Sequence, residues 1–351
     1  MCGIVGYVGQ RQVQDVLLAG LRKLEYRGYD SAGISVIAGD EIEAVRAVGN
    51  LSALDEAMRA RRDGPGVALA TRPATTGIGH TRWATHGRVS EENAHPHFDT
   101  RDRVHVVVNG IVENYMALKD RLTAAGAVFT SETDAEVIAH LIATHLDGDL
   151  VEAVRAAYGD LEGHFAFVAM SLDDPDTLVG ARKECPLIVG RGDGEQFVAS
   201  AVPAFMAYTR EVQFVENDEL VVLRPGGVDI LRPDGTRVER EVAHVEWDEE
   251  TAEKGGYETF MLKEMHEQAD ALADTIFDRT ASGVGVDLDE EGALDESLLA
   301  DARRIVVVAC GTSYHAGLIG RYAIEGWARV PVEVEIASEY RYRDPIVGPG
   351  D

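Results

Sequence analysis

Lysine is nearly missing from this chain. Of its 33 basic residues only five are lysines (Lys23, Lys119, Lys183, Lys254 and Lys263), which leaves 28 arginines against 61 aspartates and glutamates. The net charge is −28, and the acids are scattered rather than gathered in a tail. Such a surface repels nucleic acid and anionic membrane, so neither is expected as a partner. Scattered acidity with scarce lysine suits a protein kept soluble in concentrated salt, and a halophilic origin is expected. Cysteine is also sparse. Cys2, Cys185 and Cys310 are far apart, which excludes a disulfide framework and a zinc pattern. No metal and no cofactor are expected. No apolar run reaches transmembrane length, and the start of the chain lacks a basic region followed by an apolar stretch. A cytoplasmic location is the expectation. What is present is 45% apolar residues over 351 positions, enough for two packed domains and too much for disorder.

Apolar periodicity places the elements. A strand is expected over residues 2–8, and Val13, Val16, Leu17, Gly20, Leu21 and Leu24 predict a helix over 13–25. Paired strands are expected at 31–38 and 42–48, a helix at 51–62, and strands at 76–82 and 104–109. Helices are expected near 113–125, 134–146 and 149–158. From 164 to 240 short β-type runs alternate with Gly, Asp and Pro turns. Strands at both ends with helices between them fit a layered α+β domain over residues 2–242. Residues 243–260 are acidic and Gly-containing and read as a linker. Met261 to Arg279 has helical spacing. Arg304–Ala309 reads as a buried parallel strand, followed by a Gly-Thr-Ser turn, a helix over 314–328 and a strand over 332–336. That is one βαβ unit, the start of a doubly wound α/β domain over 261–351. Because the chain stops barely into the next element, a truncated product or a partner-dependent segment is expected.

The chemistry begins at Cys2. Gly3 is small enough for aminopeptidase to remove Met1, which would leave Cys2 with a free α-amine beside its thiol. An amine of pKa roughly 7.7–8.0 can accept a proton from a thiol of about 8.5, so one residue would supply nucleophile and base. Five polar segments follow: Tyr26-Arg27-Gly28-Tyr29-Asp30-Ser31-Ala32-Gly33, His80-Thr81-Arg82-Trp83-Ala84-Thr85-His86-Gly87, Asn93-Ala94-His95-Pro96-His97, Asn109-Gly110 and Ser131-Glu132-Thr133-Asp134. Singly each has a plain reading. Asn-Gly is a turn that ends a strand, Ser131 or Thr133 caps a helix, and His-Pro-His lacks a third metal ligand.

Together these strings resemble the class II glutamine amidotransferases, which have an N-terminal cysteine and the four-layer αββα fold of the N-terminal-nucleophile hydrolases. The wording at 25–33 and 80–87 is similar to the glucosamine-6-phosphate synthase family, and Phe260-Met261-Leu262-Lys263-Glu264 and Ala309-Cys310-Gly311-Thr312-Ser313-Tyr314 continue the likeness into a sugar isomerase domain. The resemblance implies that Cys2 attacks the amide of L-glutamine, with Asn109 and Gly110 as the oxyanion hole. It implies Arg82 on the substrate carboxylate, Asp134 on its ammonium, and Thr85 and His86 along the pocket. It also implies Trp83 as a gate for ammonia, Arg27 as a brace, and Gly311, Thr312 and Ser313 on the phosphate of fructose 6-phosphate. The full-length family enzymes are expected to be homodimers that make glucosamine 6-phosphate. Two other readings stay open: the glutaminase half of another amidotransferase, and a silent sugar-phosphate-binding or regulatory derivative.

Overall fold

The computed structural model describes residues 2–62, 74–84, 86–246, 257, 259–280 and 301–351. The elements run β1 (Gly3–Val8), α1 (Val13–Leu24), β2 (Ser31–Ala38), β3 (Glu41–Val48), α2 (Leu51–Arg62), β4 (Thr76–Arg82), β5 (His97–Phe98) and β6 (Val104–Val112). Three helices follow, α3 (Tyr115–Ala124), α4 (Glu136–His145) and α5 (Leu150–Asp160). Then come β7 (Gly163–Ser171), β8 (Asp174–Lys183), β9 (Ile188–Arg191), β10 (Gln196–Ala199), β11 (Glu211–Phe214), β12 (Glu219–Arg224), β13 (Gly227–Leu231), β14 (Arg237–Val238) and β15 (Ala243–His244). The chain divides into two compact units, Met1–Phe260 and Met261–Asp351.

In the first unit one sheet has the order β15-β11-β9-β10-β1-β4-β2-β3 and the other β14-β13-β12-β8-β7-β6-β5. Three apolar clusters show how they stack. α1 and α2 cover the outer face of the first sheet through Val13, Leu17, Leu21, Leu51 and Leu54. α3, α4 and α5 cover the outer face of the second through Leu118, Ile138, Ile142, Val154 and Ala157. Ile4, Val8, Ile78, Val107, Val168 and Val198 fill the space between the sheets. The result is the αββα stack that the resemblance implies. The buried stripe of α1 is Val13, Val16, Leu17, Gly20, Leu21 and Leu24, with Gln14 also covered; the apolar members are those that helical spacing selects. α5 starts where Asp149 accepts hydrogen bonds from the N–H groups of Val151 (2.9 Å) and Glu152 (3.1 Å), satisfying donors that a first turn leaves unpaired.

Three expectations need correction in this unit. β6 does not end at Asn109-Gly110 but pairs with β7 through Val112, opposite Gly163. Neither Ser131 nor Thr133 caps a helix; α4 starts at Glu136, and its flanking residue Ala135 offers no side-chain cap. Ala243 and His244 are not linker but pair with Val212 and Glu211 at the edge of the first sheet.

The second unit contains α6 (Phe260–Thr280), β16 (Ile305–Ala309), α7 (Gly311–Trp327), β17 (Val332–Ile336) and α8 (Ala337–Tyr342). β16 and β17 pair in parallel, Ile305 opposite Val332 through Ala309 opposite Ile336. β16 is half-buried rather than buried, since among the described residues only one further strand pairs with it. α7 begins three residues earlier than its periodicity predicts, so Gly311, Thr312 and Ser313 form its first turn.

Candidate active site

β1 lies between β10 and β4 in the first sheet, and its first residue, Gly3, pairs with Thr81. Cys2 therefore stands beside the end of β4, where Arg82 and Trp83 leave the sheet. Its Sγ accepts a hydrogen bond from the Trp83 N–H at 3.2 Å. The Arg27 Nε–H donates to the Cys2 carbonyl at 3.0 Å. Gly28 runs so close that a Cβ there would sit 2.6 Å from the Arg82 carbonyl carbon and 2.7 Å from the Trp83 nitrogen. Burial pushes the Cys2 thiol up, while the Trp83 N–H and the charges of Arg82 and Arg27 pull the other way. The thiol is thus protonated at neutral pH and needs a base to act as a nucleophile.

The opposite wall comes from the second sheet. Asn109 on β6 donates through Nδ2 to the Cys2 carbonyl (3.2 Å) and to Ser200 Oγ (2.9 Å). Ser200, which follows β10, also accepts from the Ile4 N–H at 2.9 Å. Gly110 has φ +96°, and a Cβ there would collide with the His164 carbonyl oxygen and lie 2.8 Å from Phe165 Cα. β6 keeps its pairing with β7 and yet turns its backbone at this one residue.

Cys2, Arg27, Arg82, Trp83, His86, Asn109, Gly110 and Asp134 all line one cavity of about 360 Å³. Thr85 lies outside the described residues. Arg82 is buried, and its guanidinium donates to the carbonyls of His86, Gly87 (3.2 Å) and Arg88 (3.3 Å). Burial lowers its pKa, opposed by Cys2, Asp30 and Asp134. It stays a cation across the working pH range. Asp134 accepts from the Val112 N–H at 2.7 Å, and burial raises its pKa. Trp83 is 42% exposed and meets Tyr29 edge-on at 5.3 Å. A thiol, a fixed amide, a cation and a carboxylate thus share one small cavity. Such a set can bind an α-amino acid by its two charged ends and hold an acyl group near sulfur.

Sequence reasoning missed Ile111, Cys185 and Pro186 in the lining, and named the strings of His95 and Thr133 without giving either residue a place in the cavity. It also missed Glu136, which is fully buried and takes hydrogen bonds from Thr130 N–H (2.7 Å), Thr130 Oγ1–H (3.0 Å), Ser131 N–H (2.7 Å) and Ser131 Oγ–H (2.7 Å). Only the Glu at the head of α4 signalled it. Burial alone would raise this carboxyl, but the His140 ring 3.6 Å away and the hydrogen bonds of Thr130 and Ser131 outweigh it and hold the pKa below the ordinary range. Its contribution to stability is therefore full above the unfolded value near ~4.3 and lost as pH falls through the lower folded value. Glu136→Ala should cost about 3 kcal/mol at pH 7, because buried donors lose a charged acceptor. Denaturant unfolding at pH 7 and pH 3 checks this: the gap between variant and parent should narrow in acid.

The Gly311-Thr312-Ser313 segment lies in the second unit, after the extended residue Cys310, with Gly311 at φ +58°. Among the described residues no helix is long and apolar enough to cross a membrane.

Comparison with known proteins shows what the chain is similar to. Residues 80–207 match the glutamine amidotransferase domain family, and residues 298–351 match the SIS domain family. The chain is 47% identical over 347 residues to a glutamine–fructose-6-phosphate aminotransferase (isomerizing) of Caldanaerobacter subterraneus subsp. tengcongensis. It is 49% identical over 352 residues to the protein of that name from Streptomyces coelicolor. Both alignments cover 99% of this chain. Over nearly its whole length the chain is thus similar to glutamine–fructose-6-phosphate aminotransferases. It spans about half, 55%, of the length of each of these relatives. Its fold is also similar to the solved glutamine phosphoribosylpyrophosphate amidotransferase of B. subtilis, with a TM-score of 0.58 at 21% identity, covering 99% of this chain and 69% of that one. The matched amidotransferase segment includes Arg82, Trp83, His86, Asn109, Gly110 and Asp134, and each residue's role is argued from geometry.

Proposed function

We propose that this chain hydrolyses L-glutamine at Cys2 and forms the glutamine-handling half of an enzyme that aminates fructose 6-phosphate. The observation that carries the reading is the convergence of Cys2, Arg82, Asn109, Gly110 and Asp134 on one cavity. Removal of Met1 frees the Cys2 amine. That amine takes the thiol proton as Sγ attacks the side-chain amide carbon of glutamine. Negative charge collects on the former carbonyl oxygen, where Asn109 Nδ2 and the Gly110 N–H stabilise it. The intermediate collapses to a thioester, and the leaving nitrogen takes the proton back and departs as ammonia. Water then cleaves the thioester to glutamate and restores the thiol. Arg82 binds the α-carboxylate with its planar fork and Asp134 the α-ammonium. Thr85 and His86 line the pocket, Arg27 braces the Cys2 backbone, and Trp83 gates the path of ammonia.

In the complete enzyme that ammonia would reach fructose 6-phosphate and give glucosamine 6-phosphate, the entry to hexosamine biosynthesis. Gly311, Thr312 and Ser313, at the start of a helix, suit the sugar phosphate. No cofactor takes part in this reading, and the complete enzyme would work as a homodimer in the cytoplasm. The acidic composition with only five lysines supports a salt-adapted host. The test is glutamate release from glutamine in molar KCl and in dilute buffer, with glucosamine 6-phosphate assayed in parallel with and without fructose 6-phosphate. Glutamate is expected. Its absence under every condition would favour the silent, binding-only derivative. Stability should rise with KCl; a melting temperature highest in dilute buffer would remove the halophilic reading.

A further inference from the structure

His80, on β4, belongs to none of the roles above. Its ring is fully buried, and Nε2 lies 3.1 Å from Asn109 Oδ1. The Asn109 amide fits its surroundings in one orientation. Its NH₂ faces the Cys2 carbonyl oxygen; turned over, it would set oxygen against oxygen there. Oδ1 therefore points away from Cys2 and needs a donor. A neutral imidazole has one N–H to give, and at His80 it sits on Nε2. Burial keeps this ring neutral, with its pKa pushed down to about 3, so the donor does not change charge in the working range.

Two further histidines hold the ring. His95 stacks on His80 with centroids 4.1 Å apart and planes 23° apart. Its Nδ1 accepts the Val108 N–H at 3.2 Å, next to Asn109 in β6. His97 lies 4.4 Å from His95 and reaches Thr133 Oγ1 at 3.0 Å, one residue before Asp134. All three are buried. A packed column thus runs from the amide beside the nucleophile to the residue preceding the cavity's carboxylate.

We propose that His80 is a positioning residue for the oxyanion-stabilising amide: its Nε2–H fixes the orientation of Asn109 so that Nδ2 stays turned toward Cys2, and His95 and His97 hold the ring against it. The proposal rests on the glutaminase reading and assigns to it a residue that never touches substrate. A misoriented amide weakens the transition state far more than the bound ground state.

His80→Phe keeps a buried ring and removes the donor; His80→Gln keeps a donor. For glutamate release by the full chain, H80F should lower kcat about 10- to 100-fold with KM changed less than about threefold. H80Q should recover to within about fivefold of the parent. In an Asn109→Ala background H80F should cost little more, since the group it orients is gone. A kcat for H80F within about threefold of the parent, failure of H80Q to recover, or the same fold-loss with and without Asn109 would overturn the proposal. A second readout is independent of turnover. The side-chain amide resonances of Asn109, identified by their loss in N109A, should shift in H80F and move back in H80Q; unmoved resonances overturn the proposal. A parent chain that releases no glutamate would overturn the glutaminase reading, and the amide resonances would still decide the role of His80.

Discussion

Cys2→Ala should abolish glutamate release, by at least about 10⁴-fold, while leaving the unfolding transition in place. Removing the nucleophile of a covalent hydrolase typically costs that much or more. Nothing else in the cavity replaces it. Cys185 also lines the cavity, but burial and the neighbouring Cys2 raise its thiol pKa, and it has no α-amine of its own to serve as base. Cys2 precedes β1, and among the described residues its Sγ hydrogen-bonds with the Trp83 backbone, so alanine should cost little stability. Glutamate released from glutamine by purified C2A and parent protein, beside their denaturant midpoints, makes the comparison. Activity within about tenfold of the parent would end the assignment of Cys2.

Gly110→Ala should be nearly as severe, for a different reason. At φ +96° an added Cβ meets the His164 carbonyl oxygen, with Phe165 Cα at 2.8 Å and Cys185 Sγ at 2.9 Å. Two of these atoms are backbone of the paired strand β7 and cannot swing aside. The variant must give up the backbone conformation of residue 110 or open the β6–β7 ladder. We expect a loss in kcat of about 10²- to 10³-fold, the range for losing one oxyanion donor, with about 2–3 kcal/mol of stability. Gly126→Ala is the control. Gly126 also has positive φ, +100°, but nothing lies within 4 Å of its Cβ position. That variant should lose about 1 kcal/mol and no activity. Equal kinetic damage from both would mean that backbone strain, not the place of Gly110, sets the effect.

The strings around the nucleophile were legible because each is local. Cys2 stands directly after Met1; Arg82, Asn109, Gly110 and Asp134 sit in short polar runs, and the buried stripe of α1 follows from spacing alone. What was not legible depends on pairing across the chain. Asn-Gly reads as a turn in any short window; only the register with β7, Asn109 opposite Ala166 and Gly110 opposite Phe165, keeps it within a strand. Ser200 enters the site from a segment 91 residues away from Asn109, with an ordinary serine as its only sign. Ser131 and Thr133 look like helix caps, and the buried Glu136 carboxylate claims the Ser131 hydroxyl instead. His80 and His95 are 15 positions apart, and their stacking has no local signature.

Cys2 and the Asn109 amide that faces it hang from different sheets, and what lies between those sheets is a layer of Ile4, Val8, Val107, Val168 and Val198. That layer works as a spacer. Its thickness sets the gap between sulfur and amide, so the reactive geometry is tuned from inside a greasy interior that no substrate ever meets. Evolution could adjust turnover there by a single methyl group. Mild swelling of this seam, well short of unfolding, would part the two halves of the site and silence the enzyme while its secondary structure stayed intact.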